Sequence, residues 1–220
     1  MTEGFAAPAF DFPELPEELW GEIRRHLPRM PLAFAAVSPQ FHGQFSDVIR
    51  VHDQEQLEAA LNDAAAWCIV IEGAGLTVTR RSVCGARIVA LSDVHITKGE
   101  IRARDNAHVT ASGTASVQAT GQAQATAYDE ARVYAKGHAQ VAGHNQAVLC
   151  AWDEVQVTAH DNATVFAYGQ SRVTAHDQAA VEAHEQAIVH ADGRVQVVVR
   201  DQATVFTYEE AQVITRDEGH

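Results

Sequence analysis

From Ile101 to His220 the sequence divides into fifteen consecutive octads without insertion or deletion. Three in a row read VTAHDNAT, VFAYGQSR and VTAHDQAA, spanning 157–180. The first position is Val in twelve octads, and Ile101, Ala125 and Leu149 fill the others. Ala holds the third position in eleven octads and the seventh in eleven. The fifth is always Asp, Gly, Asn or Glu. Apolar residues at positions one and three, alternating with polar ones, are the period-two pattern of a half-buried strand. Asp, Gly or Asn at position five then marks a turn, because these residues tolerate tight or left-handed backbone.

A strand and a corner in every octad, with so much alanine, give too little core for stacked hairpins. Stacked as rungs of a parallel solenoid, each Val and Ala lies on its equivalents about 4.8 Å above and below. A fixed short period is the sequence signature of such arrays. A disordered low-complexity tract would not keep Val in phase or confine glycine to particular positions. The expected fold is therefore mainly β: a parallel β-helix with a small helical N-terminal module.

Two coil sizes compete. Taken every third octad, the fifth position reads Asp105, Asp129, Asp153, Asp177, Asp201, and a second such column reads Gly121, Asn145, Gly169, Gly193, Asp217. That pattern suits a three-sided, 24-residue coil. Taken every second octad, position two reads Thr110, Thr126, Ala142, Thr158, Thr174 and position four includes His144, His160, His176. That suits a flatter, two-sided, 16-residue coil. If corner residues report backbone geometry more directly than surface residues do, three sides are favoured.

Composition narrows the function classes. The net charge is −13, with 16 Lys+Arg against 29 Asp+Glu, which argues against direct nucleic-acid binding. Cys68, Cys84 and Cys150 are too scattered for a disulfide framework or a Cys-rich zinc site. No apolar run reaches the roughly 18–20 residues that span a membrane, and Met1-Thr2-Glu3 lacks a signal peptide's positive start. A cytoplasmic, reducing setting without membrane attachment is expected. All six prolines lie between Pro8 and Pro39, so two kinds of structure are joined. The expected domains are a helical module at 1–45, a capping helix with irregular first rungs at 46–100, and the octads at 101–220.

Asp53 to Trp67 reads as an amphipathic helix with Leu57, Ala60, Leu61 and Ala64 on one face. Strand-like residues 68–79 follow, and Ile88, Val89, Val94 and Ile96 are inward candidates in the irregular rungs. A helix ahead of the first strand resembles the N-terminal cap of right-handed parallel β-helix proteins. In residues 15–41, Leu19, Ile23 and Leu27 are spaced by four, and Pro28 and Pro31 break the run. The order Leu15-Pro16, Glu18-Leu19, Ile23, Leu27-Pro28, Leu32, Val37-Ser38, Phe41 resembles an F-box. The resemblance implies docking of a Skp-type ubiquitin-ligase subunit, with Leu15, Leu19, Ile23 and Leu27 as contact residues. The same residues also suit a small helical bundle that caps the solenoid or mediates self-association.

Chemistry is sparse. Eight of twelve histidines fall in the octads, at mostly outward positions such as His144, His160, His176 and His184. Adjacent rungs are too far apart for their imidazoles to share an ion without rearrangement, and no HExxH or zinc-spaced cluster appears. No metal or cofactor is expected. An acidic corner of Asp105, Asp129, Asp153, Asp177 and Asp201 could mimic a row of phosphates, yet Asp is an ordinary turn residue. Acidity is also spread evenly, at −7 for the octads and −6 for positions 1–100. Glycan-active β-helix enzymes build their grooves from long loops, which uninterrupted octads do not provide. A threonine array of the ice-binding kind is broken by Ala142 and ends in His190 and Phe206. Tyr134, Trp152, Phe166 and Tyr168 are expected outside the core as a partner-binding set. Val198, Phe206, Tyr208 and Ile214 in the last octads mark an edge through which two copies could form a homodimer. The expectation is a non-catalytic interaction protein with a protein partner. An acidic DNA mimic and a glycan-active enzyme are the alternatives.

Overall fold

A computed structural model describes residues 48–215 apart from residues 65 and 84. The expected 1–45 module, with Leu15, Leu19, Ile23 and Leu27, lies outside the described residues. Ahead of the octads come β1 (Val48–Val51), α1 (Gln54–Asn62), β2 (Cys68–Ile71), β3 (Leu76–Val78), β4 (Arg87–Ala90) and β5 (Val94–Ile96). Then follow β6 (Glu100–Ala103), β7 (His108–Ala111), β8 (Ser116–Ala119), β9 (Gln124–Ala127), β10 (Arg132–Ala135), β11 (Gln140–Gly143) and β12 (Val148–Ala151). The last are β13 (Gln156–Ala159), β14 (Thr164–Ala167), β15 (Arg172–Ala175), β16 (Ala180–Ala183), β17 (Ile188–Asp192), β18 (Gln196–Val199), β19 (Thr204–Tyr208) and β20 (Gln212–Thr215).

Strands alternate between two parallel sheets. One has eleven strands: β1, β2 and then every even strand to β20. The other has nine, the odd strands from β3 to β19. In the octads each strand pairs with the strand two octads on, as in Val133 with Leu149 and Val157 with Val173. The fold is thus a β-solenoid of about ten turns, and its coil is two octads with two sides. The three-sided, 24-residue coil favoured by the corner residues is incorrect.

The reason for the error lies in the corners. All fourteen described fifth positions, from Asp105 to Glu209, have positive φ, whether the residue is Gly, Asp, Asn or Glu. Every corner makes the same demand, so a recurrence of Asp every third octad carries no geometric information. The outward Thr and His columns follow the true coil, because those side chains touch across neighbouring rungs.

Small side chains set the narrow interior. As far as β18, Val at position one and Ala at positions three and seven are almost wholly buried, including Val117, Ala119 and Ala123 at 0% exposure. Each column is continued by the same kind of residue one rung away, so the core has no gradient of size to force a bend. One local exchange stands out. Gly143 replaces the usual Ala, and Leu149 replaces the usual Val at the next position one. A Cβ on Gly143 would lie 2.6 Å from Leu149 Cδ1, so the missing methyl makes room for the larger side chain.

The N-terminal end is closed by α1, which is shorter than the expected Asp53–Trp67. Asp53 caps it, its carboxylate accepting the Gln56 N–H at 2.8 Å. Leu57, Ala60 and Leu61 face the core, and α1 occupies the link between β1 and β2 where later coils place a strand of the second sheet. Gln54 acts as a substitute peptide for the exposed edge of β3. Its side-chain carbonyl accepts from Thr77 N–H at 2.9 Å, and its amide donates to Thr77 C=O at 3.0 Å. Ile88, Val94 and Ile96 are core residues as expected. Val89 is buried as well, at 8% exposure, but it stands apart from the core cluster, in register with Arg102 on the outer side of the first sheet. No helix among the described residues is long and apolar enough to cross a membrane.

The Gly143–Leu149 exchange yields a prediction. Gly143→Ala overpacks the core and costs about 1–3 kcal/mol, and Leu149→Val leaves a void costing about 1 kcal/mol. The double variant restores the majority residues, so its loss in urea denaturation is expected to be smaller than either the sum or Gly143→Ala alone.

Candidate interaction surface

Stacking in register turns each outward octad position into a column. On the eleven-stranded sheet, position two presents Arg102, Gln118, Tyr134, Cys150, Phe166, Glu182, Val198 and Ile214 in that order. Position four, directly after the same strands, supplies Lys136, Trp152, Tyr168 and His184. Ring centroids are 6.4 Å apart for Tyr134–Trp152, 5.8 Å for Trp152–Tyr168 and 4.6 Å for Tyr168–His184. Lys136 Nζ lies 5.4 Å from the Trp152 ring centre, a cation–π distance. Tyr134, Trp152, Phe166 and Tyr168 therefore lie together on one sheet, spread over three adjacent strands.

The nine-stranded sheet carries the threonine column Thr110, Thr126, Ala142, Thr158, Thr174, followed by His190 and Phe206. Beside it runs a ring ladder, Tyr128–His144–His160–His176, with centroid steps of 4.9, 5.0 and 4.9 Å. Each imidazole also faces a carboxylate. His144 Nδ1 is 4.0 Å from Asp161, His160 Nδ1 is 3.7 Å from Asp177, and His176 Nδ1 is 3.6 Å from Asp192. The sequence shows the histidine column, but the pairing of each imidazole with a carboxylate of the next coil appears only once the coil is known to hold two octads. No group of three or more metal-ligating side chains is assembled among the described residues.

The acidic corner is not one row. Asp105, Asp153 and Asp201 lie on the corners that follow the eleven-stranded sheet, and Asp129 and Asp177 on those that follow the other. Most of these carboxylates also have a structural task. A position-five carboxylate accepts the backbone N–H of the position-five residue one coil earlier: Gly113 to Asp129 at 3.2 Å, Gly137 to Asp153 at 3.2 Å, Asp161 to Asp177 at 3.1 Å and Glu185 to Asp201 at 3.0 Å. The backbone continues the ladder, because position-six N–H groups donate to position-five carbonyls of the preceding coil, as in Gln122 to Asp105 at 3.1 Å. A carboxylate held this way is a corner brace, and its oxygens are partly committed before any ligand arrives.

The four C-terminal candidates divide between the sheets. Val198 and Ile214 are neighbours in register on the eleven-stranded sheet. Phe206 stacks on His190 at 4.9 Å on the other sheet, and Tyr208 lies 6.4 Å from the same ring. Phe206, Tyr208 and Ile214 are each about half exposed, at 47%, 54% and 51%. They surround the last coil and do not form one face.

Sequence reasoning missed the cations that accompany the aromatic cluster. Arg87, Arg102, Arg104, Arg132 and Lys136 all belong to rungs of the eleven-stranded sheet. They are scattered in the linear sequence, and only a two-octad alignment gathers them. Burial pushes the Cys150 thiol up, with nearby Arg132 opposing it only in part, and burial likewise raises Cys68 against three arginines, so both described cysteines are held toward the thiol form.

The corner assignment can be tested at Asp161, whose φ is +58° and whose carboxylate accepts from Asn145 N–H at 3.0 Å. Asp161→Gly and Asp161→Ala both remove that bond, but only Ala carries the left-handed backbone penalty. Asp161→Ala is expected to be less stable than Asp161→Gly by about 1 kcal/mol in thermal or urea unfolding. Comparison with known protein families, curated proteins and solved structures finds no match to this chain.

Proposed function

We propose that the solenoid is a non-catalytic recognition scaffold, and that its eleven-stranded sheet binds a protein partner through Tyr134, Trp152, Phe166 and Tyr168. The observation that carries this reading is the aromatic cluster beside Lys136 on one parallel sheet. Aromatic and arginine side chains dominate the energetics of protein interfaces. Rings held against one another by the rungs have already lost most of their rotamer freedom, so binding costs less ordering entropy. In this reading the 1–45 module, F-box-like in its spaced Leu15, Leu19, Ile23 and Leu27, is a second docking arm. The last rungs, with Val198, Phe206, Tyr208 and Ile214, pair two copies into a homodimer.

The test is affinity capture from lysate of the source cell. Wild type is compared with Trp152→Ala/Phe166→Ala on the eleven-stranded sheet, Thr158→Ala/Thr174→Ala on the other, and a variant lacking residues 1–45. Loss of a core aromatic contact of this kind weakens binding by about 2 kcal/mol or more, roughly 30-fold. A partner lost from the aromatic variant and kept by the threonine variant supports the proposal. A partner kept by the aromatic variant and lost with residues 1–45 overturns it and transfers recognition to the N-terminal arm.

A further inference from the structure

We infer that the partner segment on the eleven-stranded sheet is an acidic polypeptide with an apolar anchor, its carboxylates lying over Arg87, Arg102 and Arg104 and its anchor over Trp152 and Phe166. This rests on the proposal above and adds the chemistry of the ligand and its direction along the sheet.

The chain is strongly acidic overall, at −13, yet the outer side of β4 to β10 is basic. Arg87 lies on β4, Arg102 on β6 with Arg104 directly after it, and Arg132 on β10 with Lys136 directly after it. Between them β8 presents neutral Ser116 and Gln118. The one carboxylate on these strands is Glu100, which accepts a hydrogen bond from Gln118 Nε2 at 2.6 Å. None of the five cations makes an ion pair with a described residue; the ion pairs lie at the capping end, at the corners and around Glu182. Desolvation, reinforced by the Arg87 and Arg104 guanidiniums, pulls the Arg102 pKa down although Glu100 opposes it. Carboxylates fit guanidinium groups with paired, charge-assisted hydrogen bonds, and an acidic segment relieves the repulsion within the cluster.

Spacing then fixes direction. β6 is three rungs from β12 and four from β14, about 14 and 19 Å at the usual strand separation. An extended chain advances about 3.3–3.6 Å per residue. The acidic residues and the apolar anchor are therefore about four to six residues apart. A single-stranded nucleic acid, the other ligand that basic and aromatic residues suggest, fits poorly. It needs exposed ring faces on which bases can stack. Here Trp152, Tyr168 and His184 lie within 9° and 17° of their neighbours' planes and turn their faces toward one another along the solenoid.

The full-length protein is immobilised and used to select from a phage-displayed random peptide library of about 12 residues, long enough to span both clusters. Enriched peptides are expected to carry at least two Asp or Glu residues about four to six positions from a Leu, Ile, Phe or Trp. A synthetic peptide of the enriched sequence should bind Arg102→Glu/Arg104→Glu at least roughly tenfold more weakly, and Arg102→Gln/Arg104→Gln by a smaller factor. Both variants are first checked for unchanged thermal unfolding, and the milder one keeps the comparison valid if charge reversal disturbs the fold. Neutral or basic consensus peptides, no enrichment, or binding indifferent to both arginine variants overturns the inference. Loss of the peptide from Trp152→Ala alone leaves the aromatic proposal standing and removes the acidic one. Tight binding of an oligothymidylate of about 20 nucleotides, lost in the arginine variants, assigns the surface to nucleic acid and also overturns it.

Discussion

The register of hydrogen bonds between one coil and the next is the constraint from which the other features follow. Two octads close a coil, and each strand then lies beside its equivalent in the coils before and after. A single inserted residue would turn every following Val outward and every following polar residue inward. The unbroken run of octads is what such a ladder requires. Its weakest places are the corners, where the chain must reverse within half an octad. There the fifth position takes left-handed backbone, and carboxylates from the next coil satisfy the N–H groups that the turn leaves outside the sheets.

This arrangement separates the charges. Asp and Glu concentrate on the corners because left-handed backbone tolerates Asp and because their oxygens complete the turn. The sheet surfaces are left to other residue types. One carries threonines beside a histidine ladder whose imidazoles face carboxylates, Asp161 and Asp177 at corners and Asp192 at the end of β17. The other carries arginines at its N-terminal end and aromatic rings in its middle. Net charge alone describes neither surface, because Asp129, Asp153, Asp161, Asp177, Glu185 and Asp201 are engaged in bracing corners, while Arg87, Arg102, Arg104, Arg132 and Lys136 gather on one sheet. The core contributes through its uniformity: small Val and Ala columns let the two sheets lie close together, and the in-register rungs set side chains two rungs apart at about 10 Å.

Much of this was legible in the sequence, and the exceptions have physical causes. Val at position one, Ala at positions three and seven, and the turn residue at five directly encode strand, core and corner. The helix with Leu57, Ala60 and Leu61 is visible from its apolar face, although it stops at Asn62. Coil size is not legible from the corners, because Asp and Gly are interchangeable at positive φ and their order reports nothing about the number of sides. The Thr110–Thr174 and His144–His176 columns held the correct period, since outward neighbours stack across the rung spacing. The apolar character of Val89 correctly signals burial, but its register with Arg102 puts it on the outer side of the sheet, which alternation across an irregular rung does not reveal. Tyr134, Trp152, Phe166 and Tyr168 were identified as outward from alternation alone. That they share one sheet with Arg102, Arg104 and Lys136 depends on the coil size, and so could not be read before it.

The two-sided coil of two octads is the central claim, and one distance tests it most directly. Glu100 and Gln196 occupy the same column of the eleven-stranded sheet, on β6 and β18. Spin labels are placed at Glu100→Cys and Gln196→Cys after Cys68, Cys84 and Cys150 have been replaced by Ala or Ser. The two positions are twelve octads apart, which is six coils of two octads but four coils of three. Pulsed electron–electron resonance is expected to give a backbone separation of about 29 Å, six strand spacings. A separation near 19 Å, about four spacings, would contradict the two-sided coil and the surface assignments that depend on it.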